Sequence, residues 1–269
     1  MVALGAKRAA LSAARSPLTL LAALHACKMD PRVERYSAWL AAAMCQQGRD
    51  ESHGMAHFHR VRNTSLDLVE QEQQRLSARE LLLLQLAALS HDVLDHKYFP
   101  ASAQGVREKE EMKSAMESTL RELPLTPEEV RDVCLISDNV SLSKELGGRL
   151  QETELLRRGL MRLRDFVSDA DKLDALGVGG LHRLAQFQAS ALRKEGKDAS
   201  VHLTPEMLKQ KAEELLVHRV QFLRTQAAQQ RGQQLLRETL CTLNSKAALD
   251  RIVHRVLVDE MLRAFSADL

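Results

Sequence analysis

Apolar positions recur at helical spacing through almost the whole chain from residue 30 onward. Val33, Tyr36, Leu40 and Met44 mark one face over 31–47, and Asp30-Pro31 opens that helix as an N-cap with proline in the first turn. After a turn at 48–52, Phe58, Val61 and Leu68 mark a second helix over 54–73. The next helix, 81–89, has leucine or alanine at nearly every position, so it is expected to be buried on all sides. Ser77-Ala78-Arg79-Glu80 opens it as a capping box. A loop at 99–105 leads into a charged helix that runs to about Leu123 and stops at Pro124. Thr126-Pro127-Glu128-Glu129 is a second capping box, opening a helix to about Ile136.

Residues 139–150, with Gly147-Gly148, read as a loop, and helix returns at 152–158. A long helical stretch covers 160–193, where Gly177, Gly179 and Gly180 predict close packing, a kink or a break. Thr204-Pro205-Glu206 starts a helix to about 230, in which 227–234 reads as polar surface. The last helix is 247–265, with Val253, Val256, Leu257, Met261 and Ala264 as its apolar side. The pattern holds no convincing strand or internal repeat, and 195–199 reads as a loop within one domain. The expected architecture is all-α, one domain over 30–269, with a core at about 50–190 and C-terminal helices at 204–269.

Composition supports this picture. Aromatic residues are only 3% of the chain, so the core must be built from Leu, Ala, Val and Met, a palette that favours helices. The net charge of +2 gives no bulk electrostatic case for nucleic acid. Residues 1–29 carry Lys7, Arg8, Arg15 and Lys28 and no acidic residue; this basic extension reads as an organelle transit segment or an ordinary amphipathic helix. Cys27, Cys45, Cys134 and Cys241 form no CxxC pair, so neither a zinc knuckle nor a disulfide framework is indicated. An intracellular, reducing compartment follows, cytoplasmic or, with a transit segment, an organelle. No apolar run reaches membrane-spanning length.

The chemistry gathers where the buried helix ends, at Ser90-His91-Asp92-Val93-Leu94-Asp95-His96-Lys97. Imidazole and carboxylate at the edge of a core are unfavourable unless paired, and a metal ion is the simplest shared partner. His57 is a further candidate ligand, at the edge of the face that should pack on the buried helix. Another lies within Asp169-Ala170-Asp171-Lys172-Leu173-Asp174, three carboxylates on an otherwise core-like helix.

Taken together, His57-Phe58-His59-Arg60-Val61, the His91-Asp92 pair with Asp95-His96-Lys97, and Asp169-Ala170-Asp171-Lys172-Leu173-Asp174-Ala175-Leu176-Gly177 resemble the HD-domain metal-dependent phosphohydrolases. The likeness covers roughly residues 32–230 and is nearest to the small stand-alone subfamily that includes nucleotide pyrophosphohydrolases. It implies a helical fold with a buried metal site between core helices, the ligands being His57, His91, Asp92 and Asp171, with Asp169 as the fallback for the last. It implies one divalent ion, manganese or magnesium; imidazole and carboxylate together also suit iron, cobalt, nickel or zinc. Binuclear relatives use extra histidines before the distal Asp, and none occurs here from 97 to 181, so a mononuclear site is expected.

The implied activity is hydrolysis of a phosphoester or phosphoanhydride in a nucleotide or related small phosphorylated metabolite. Asp95 matches the position of a carboxylate that orients water or moves its proton. Arg60 and Lys97 are candidates for both catalysis and substrate contact; Lys172, Lys144 and His53 are candidates for substrate contact. Asp174 reads as support for the site or a cap to a neighbouring helix. A homo-oligomer is compatible with all of this. Two other readings are a non-catalytic metal-containing HD-type binding module and, third, an iron-dependent oxygenase, against which the missing histidines count.

Overall fold

The computed structural model describes residues 30–47, 54–99 and 101–267. The basic extension 1–29 and His53 lie outside the described residues. Thirteen α-helices and two short 3₁₀ segments make up the described chain, with no strand among its residues. The helices are α1 (Pro31–Gln46), α2 (Met55–Gln71), α3 (Ala78–Ser90), α4 (Ala103–Glu122), α5 (Pro127–Asp138), α6 (Leu142–Leu146), α7 (Glu152–Arg157), α8 (Met161–Asp174), α9 (Gly177–Lys194), α10 (Ala199–His202), α11 (Pro205–Leu215), α12 (Gln226–Leu243) and α13 (Lys246–Ala267). The 3₁₀ segments are His96–Tyr98 and Val217–Phe222.

Local signals set most of the early boundaries. Asp30 accepts the amide of Arg32 at the start of α1, ahead of Pro31. Both expected capping boxes form, Ser77 with Glu80 at α3 and Thr126 with Glu129 at α5. Each satisfies two amides that a helix start otherwise leaves without partners.

Helix α3 is the hub. Leu82, Leu83, Leu84, Leu86, Ala87, Ala88 and Leu89 are all buried. It packs against α1, α2, α5 and α8, while α2 and α8 also pack on each other. Burying a leucine side chain contributes on the order of 2 kcal/mol relative to exposure, so this one helix anchors much of the fold. Tyr36 of α1 meets Ser90 at its end, Oη to Oγ 2.7 Å. The C-terminal helices α9, α12 and α13 pack on one another, and α12 also touches α8. One set of buried apolar side chains runs from Val33 to Val256.

Four sequence expectations are corrected. The loop at 139–150 contains α6, held by buried charges described below. The helix expected from 204 to 230 ends at Leu215, passes through the 3₁₀ segment and restarts at Gln226. The stretch 227–234 is not all surface: Ala227, Ala228 and Gly232 are buried, and a Cβ on Gly232 would lie 2.3 Å from Leu223 Cδ1. Met261, placed on the apolar side of α13, is exposed, whereas Val253 and Val256 are buried.

The glycines at 177–180 break the long helix into α8 and α9. Gly177 sits at φ +70°, a left-handed conformation that other residues rarely adopt. Gly180 is a close-packing position, since an added Cβ would lie 2.1 Å from the carbonyl oxygen of Ala175. Gly180→Ala is therefore expected to force α9 away from the end of α8. A loss of about 1–3 kcal/mol, as for other overpacked sites, should appear as a lowered melting temperature.

Candidate metal centre

Helices α2, α3 and α8 bring four side chains to one point. His57 is in the first turn of α2, His91 and Asp92 follow the end of α3, and Asp171 is one turn before the end of α8. His57 Nε2 lies 3.2 Å from His91 Nε2, 3.6 Å from Asp92 Oδ2 and 3.6 Å from Asp171 Oδ1. His91 Nε2 lies 3.8 Å from Asp92 Oδ1 and 3.7 Å from Asp171 Oδ1. The imidazoles are 0% and 1% exposed and the carboxylates 18% and 19%, so the cluster opens to solvent on its carboxylate edge alone.

The two imidazoles are held in a particular tautomer. His91 Nδ1 is 2.8 Å from the carbonyl oxygen of Ala88, and His57 Nδ1 is 2.8 Å from Asp174 Oδ2. Each Nδ1 faces a group that can only accept, so each must carry the proton and donate it. That leaves two Nε2 lone pairs pointing at each other across 3.2 Å, with carboxylate oxygens beside them. Lone pairs so placed repel unless a cation or a proton lies between them. Donors held about 2.1 Å from one ion stand about 3.0–3.4 Å apart, so the spacing is comparable to a coordination shell. Two neutral imidazoles and two carboxylates also sum to zero with a divalent ion, which is what a buried site requires. Among the described residues, His57, His91 and Asp92 offer ligand atoms that all lie within 4.8 Å of one another.

The protonation directions agree. Burial opposes charge on His91, but Asp92 and Asp171 outweigh it and raise the imidazole to about 9. Burial likewise opposes charge on Asp171, yet His91 and His57 hold its carboxyl well below the usual carboxylate range. The cluster thus favours positive charge at its centre.

Of the two candidate distal carboxylates, Asp171 reaches the imidazoles and Asp169 does not. Asp169 is fully buried and accepts from the amides of Arg224 and Thr225 and the Thr225 hydroxyl, at 2.7–3.1 Å. It fixes the turn that starts α12. Asp95 is 14% exposed and lies on the wall of a cleft of about 670 Å³ that also exposes Asp92 and Asp171.

The expected phosphate-binding cations fall differently. Lys172 falls elsewhere: it is 1% exposed, donates to Glu145 Oε1 at 3.0 Å and does not line the cleft. Adjacent residues on a helix point about 100° apart, so a lysine next to Asp171 faces elsewhere. Lys144 donates to the carbonyl of Asp138 and does not line the cleft. Arg60 is bound to Asp174, Nε to Oδ1 2.7 Å and Nη2 to Oδ2 3.2 Å, and lines a second cavity of about 820 Å³ on the far side of that carboxylate. The Lys97 side chain lies outside the described residues.

No protein-family profile and no curated protein matches this sequence. Solved structures do. YpgQ of Bacillus subtilis is similar over 79% of this chain and 92% of its own, at 20% identity and a TM-score of 0.54. A Lactobacillus plantarum protein matches over 87% of this chain and 99% of its own, at 17% identity and a TM-score of 0.55. The HD-superfamily hydrolase of Bacillus thuringiensis matches over 88% and 98%, at 20% identity and a TM-score of 0.50.

The chain has the HD-domain fold.

Within that fold, sequence reasoning missed two cations on the cleft wall. Arg183 of α9 and Arg219 of the second 3₁₀ segment both line it, beside Phe187 and Phe222. Neither belongs to a recognisable motif. The only hint for Arg183 is its place two turns into a helix that starts at the glycine break. Glu145, which neutralises Lys172 and Arg164 beneath the cleft, was likewise silent in the sequence.

Proposed function

We propose that this protein is a divalent-metal-dependent phosphohydrolase acting on a nucleotide or related small phosphorylated metabolite. The observation that carries the reading is the pair of Nε2 atoms facing each other at 3.2 Å, flanked by Asp92 and Asp171 at the floor of an open cleft. His57, His91, Asp92 and Asp171 would hold the ion, manganese or magnesium being the first expectation. When bound, it supplies a Lewis acid for a phosphoryl oxygen and lowers the pKa of water.

The rest of the chemistry belongs to the chain. Asp95, beside Asp92 on the cleft wall, is placed to orient the attacking water and take its proton. Arg219, on the cleft wall, is a candidate to bind phosphate oxygens and stabilise charge developing on the leaving group, while Arg183 on the same wall is held by Asp174. Arg219 takes the role expected of Lys172 and Lys144. Leu184, Phe187, Leu216 and Phe222 supply an apolar wall that suits the flat face of a base more than a bare sugar phosphate. The structure of YpgQ in complex with ADP, similar at a TM-score of 0.53, supports a nucleotide ligand. Among the described residues no helix is long and apolar enough to cross a membrane.

The test is a phosphohydrolase screen on metal-stripped protein, with manganese, magnesium, cobalt, nickel or zinc restored singly. Nucleoside mono-, di- and triphosphates and sugar phosphates form the panel. Metal-dependent release of phosphate or pyrophosphate, strongest for nucleotides, is the expected result. Stoichiometric metal binding without turnover would favour a binding module, and absence of metal binding would overturn the ligand assignment. An Arg219→Met variant is expected to raise KM about tenfold or more through loss of a charge-assisted phosphate contact, read from saturation curves with the best substrate.

A further inference from the structure

We propose that Asp174 is the positioning residue of this centre, fixing His57 in the one tautomer and rotation that present Nε2 to the ion. The proposal rests on the reading of the four-residue cluster as a metal site. Asp174 is not one of the four proposed ligands; its oxygens are engaged elsewhere. Oδ2 accepts from His57 Nδ1 at 2.8 Å, from Arg60 Nη2 at 3.2 Å and from Arg183 Nη1, and Oδ1 accepts from Arg60 Nε at 2.7 Å. Arg183 Nη1 also donates to the backbone carbonyl of Asp174 at 3.1 Å, so one guanidinium grips both ends of the same residue.

Three physical consequences follow. First, a carboxylate facing Nδ1 compels that nitrogen to carry the proton, because an unprotonated Nδ1 at 2.8 Å would set lone pair against lone pair. Second, Asp174 is three residues beyond Asp171, so α8 carries one ligand and the holder of another on neighbouring positions of one face. His57 on α2 is thereby registered against Asp171 through a single helix. Third, the two arginines approach from α2 and α9, so the carboxylate is fixed from the same helix as the imidazole it holds and from the helix across the glycine break.

The experiment uses the full-length metal-stripped protein and its Asp174→Asn variant, which keeps the side-chain shape and removes the charge. Calorimetric titration with cobalt(II) gives affinity, the cobalt visible spectrum reports ligand geometry, and thermal melts without metal report folding. The expected result is cobalt binding 10–100-fold weaker in the variant, with an altered spectrum. Wild-type affinity and spectrum in Asp174→Asn would overturn the proposal while leaving the metal site standing. No cobalt binding by the wild type would instead overturn the metal reading and this proposal with it. Should the variant not fold, ¹⁵N spectra of the zinc-loaded wild type decide the matter. A protonated Nδ1 on His57 is expected, and ligation through Nδ1 overturns the proposal.

Discussion

Asp92→Ala is expected to abolish metal-dependent phosphate release, lowering turnover at least ~10³-fold, the equivalent of about 4 kcal/mol of lost transition-state stabilisation. The substitution removes one of the two carboxylates that would balance a divalent ion. It leaves the Nε2 atoms of His57 and His91 facing each other with one carboxylate beside them, that of Asp171. Metal affinity should fall in parallel, measured by titration of stripped protein with manganese. The fold should survive, because Asp92 follows the end of α3 and is partly open to the cleft, so its removal leaves no large void. Unchanged far-ultraviolet circular dichroism beside lost activity separates a site effect from unfolding. Full activity in the variant would exclude Asp92 from the centre.

Glu145→Ala should act in the opposite way, on stability before chemistry. Glu145 Oε1 accepts from Arg164 Nη2, from Lys172 Nζ at 3.0 Å and from the Ser168 hydroxyl at 3.2 Å. Arg164 is 0% exposed and Lys172 1%, so deletion takes the ion-pair partner from buried Lys172 and leaves buried Arg164 with Asp165. Breaking a buried charge pair on one side costs about 3–5 kcal/mol. For a domain of this size that is a drop of roughly 6–20 °C in melting temperature.

The pH dependence has a definite sign. Burial raises the Glu145 carboxyl, but Lys172 and Arg164 outweigh it and hold it below the ordinary value of 4.5. Its stabilisation is complete above the unfolded carboxyl's pKa of about 4.3 and is lost as pH falls through the lower folded value. Melting temperature measured from about pH 3 to 6 should therefore fall with acid in the wild type, and part of that slope should vanish in Glu145→Gln. A loosened α6 should also lower turnover while manganese affinity stays near normal, since Ser141, Leu142, Ser143 and Leu146 form one wall of the cleft.

How far the chain could be read without coordinates depended on where each residue's partner lies. The leucine run of α3 and its capping box are local, and both appear as expected. The ordered segments around His57, His91-Asp92 and Asp171 are also legible, and the structure brings these four side chains together. Other features depend on partners distant in sequence. The break before α12 has no glycine or proline; its amides are bound by Asp169, 55 and 56 residues earlier. Lys172 looked like a phosphate ligand because it adjoins Asp171, yet its helix position turns it to Glu145, 27 residues away. Arg60 is a candidate for substrate contact by its place beside His57, and Asp174, 114 residues on, binds it. Adjacency in sequence is a poor guide to direction on a helix, whereas a carboxylate or imidazole that recurs with apolar periodicity is a good guide to burial.

The walls of the cleft come from different parts of the chain than its floor. Ligand candidates sit on α2, α3 and α8, rigid core helices, whereas Leu146 and Leu215 at the rim belong to α6 and the end of α11 and are 63% and 46% exposed. Substitutions at those rim positions disturb neither the core nor the charges around the ion. With the proposed activity, substrate preference would therefore drift by mutation, or be redesigned by saturation of these few positions, while the reaction itself is inherited intact.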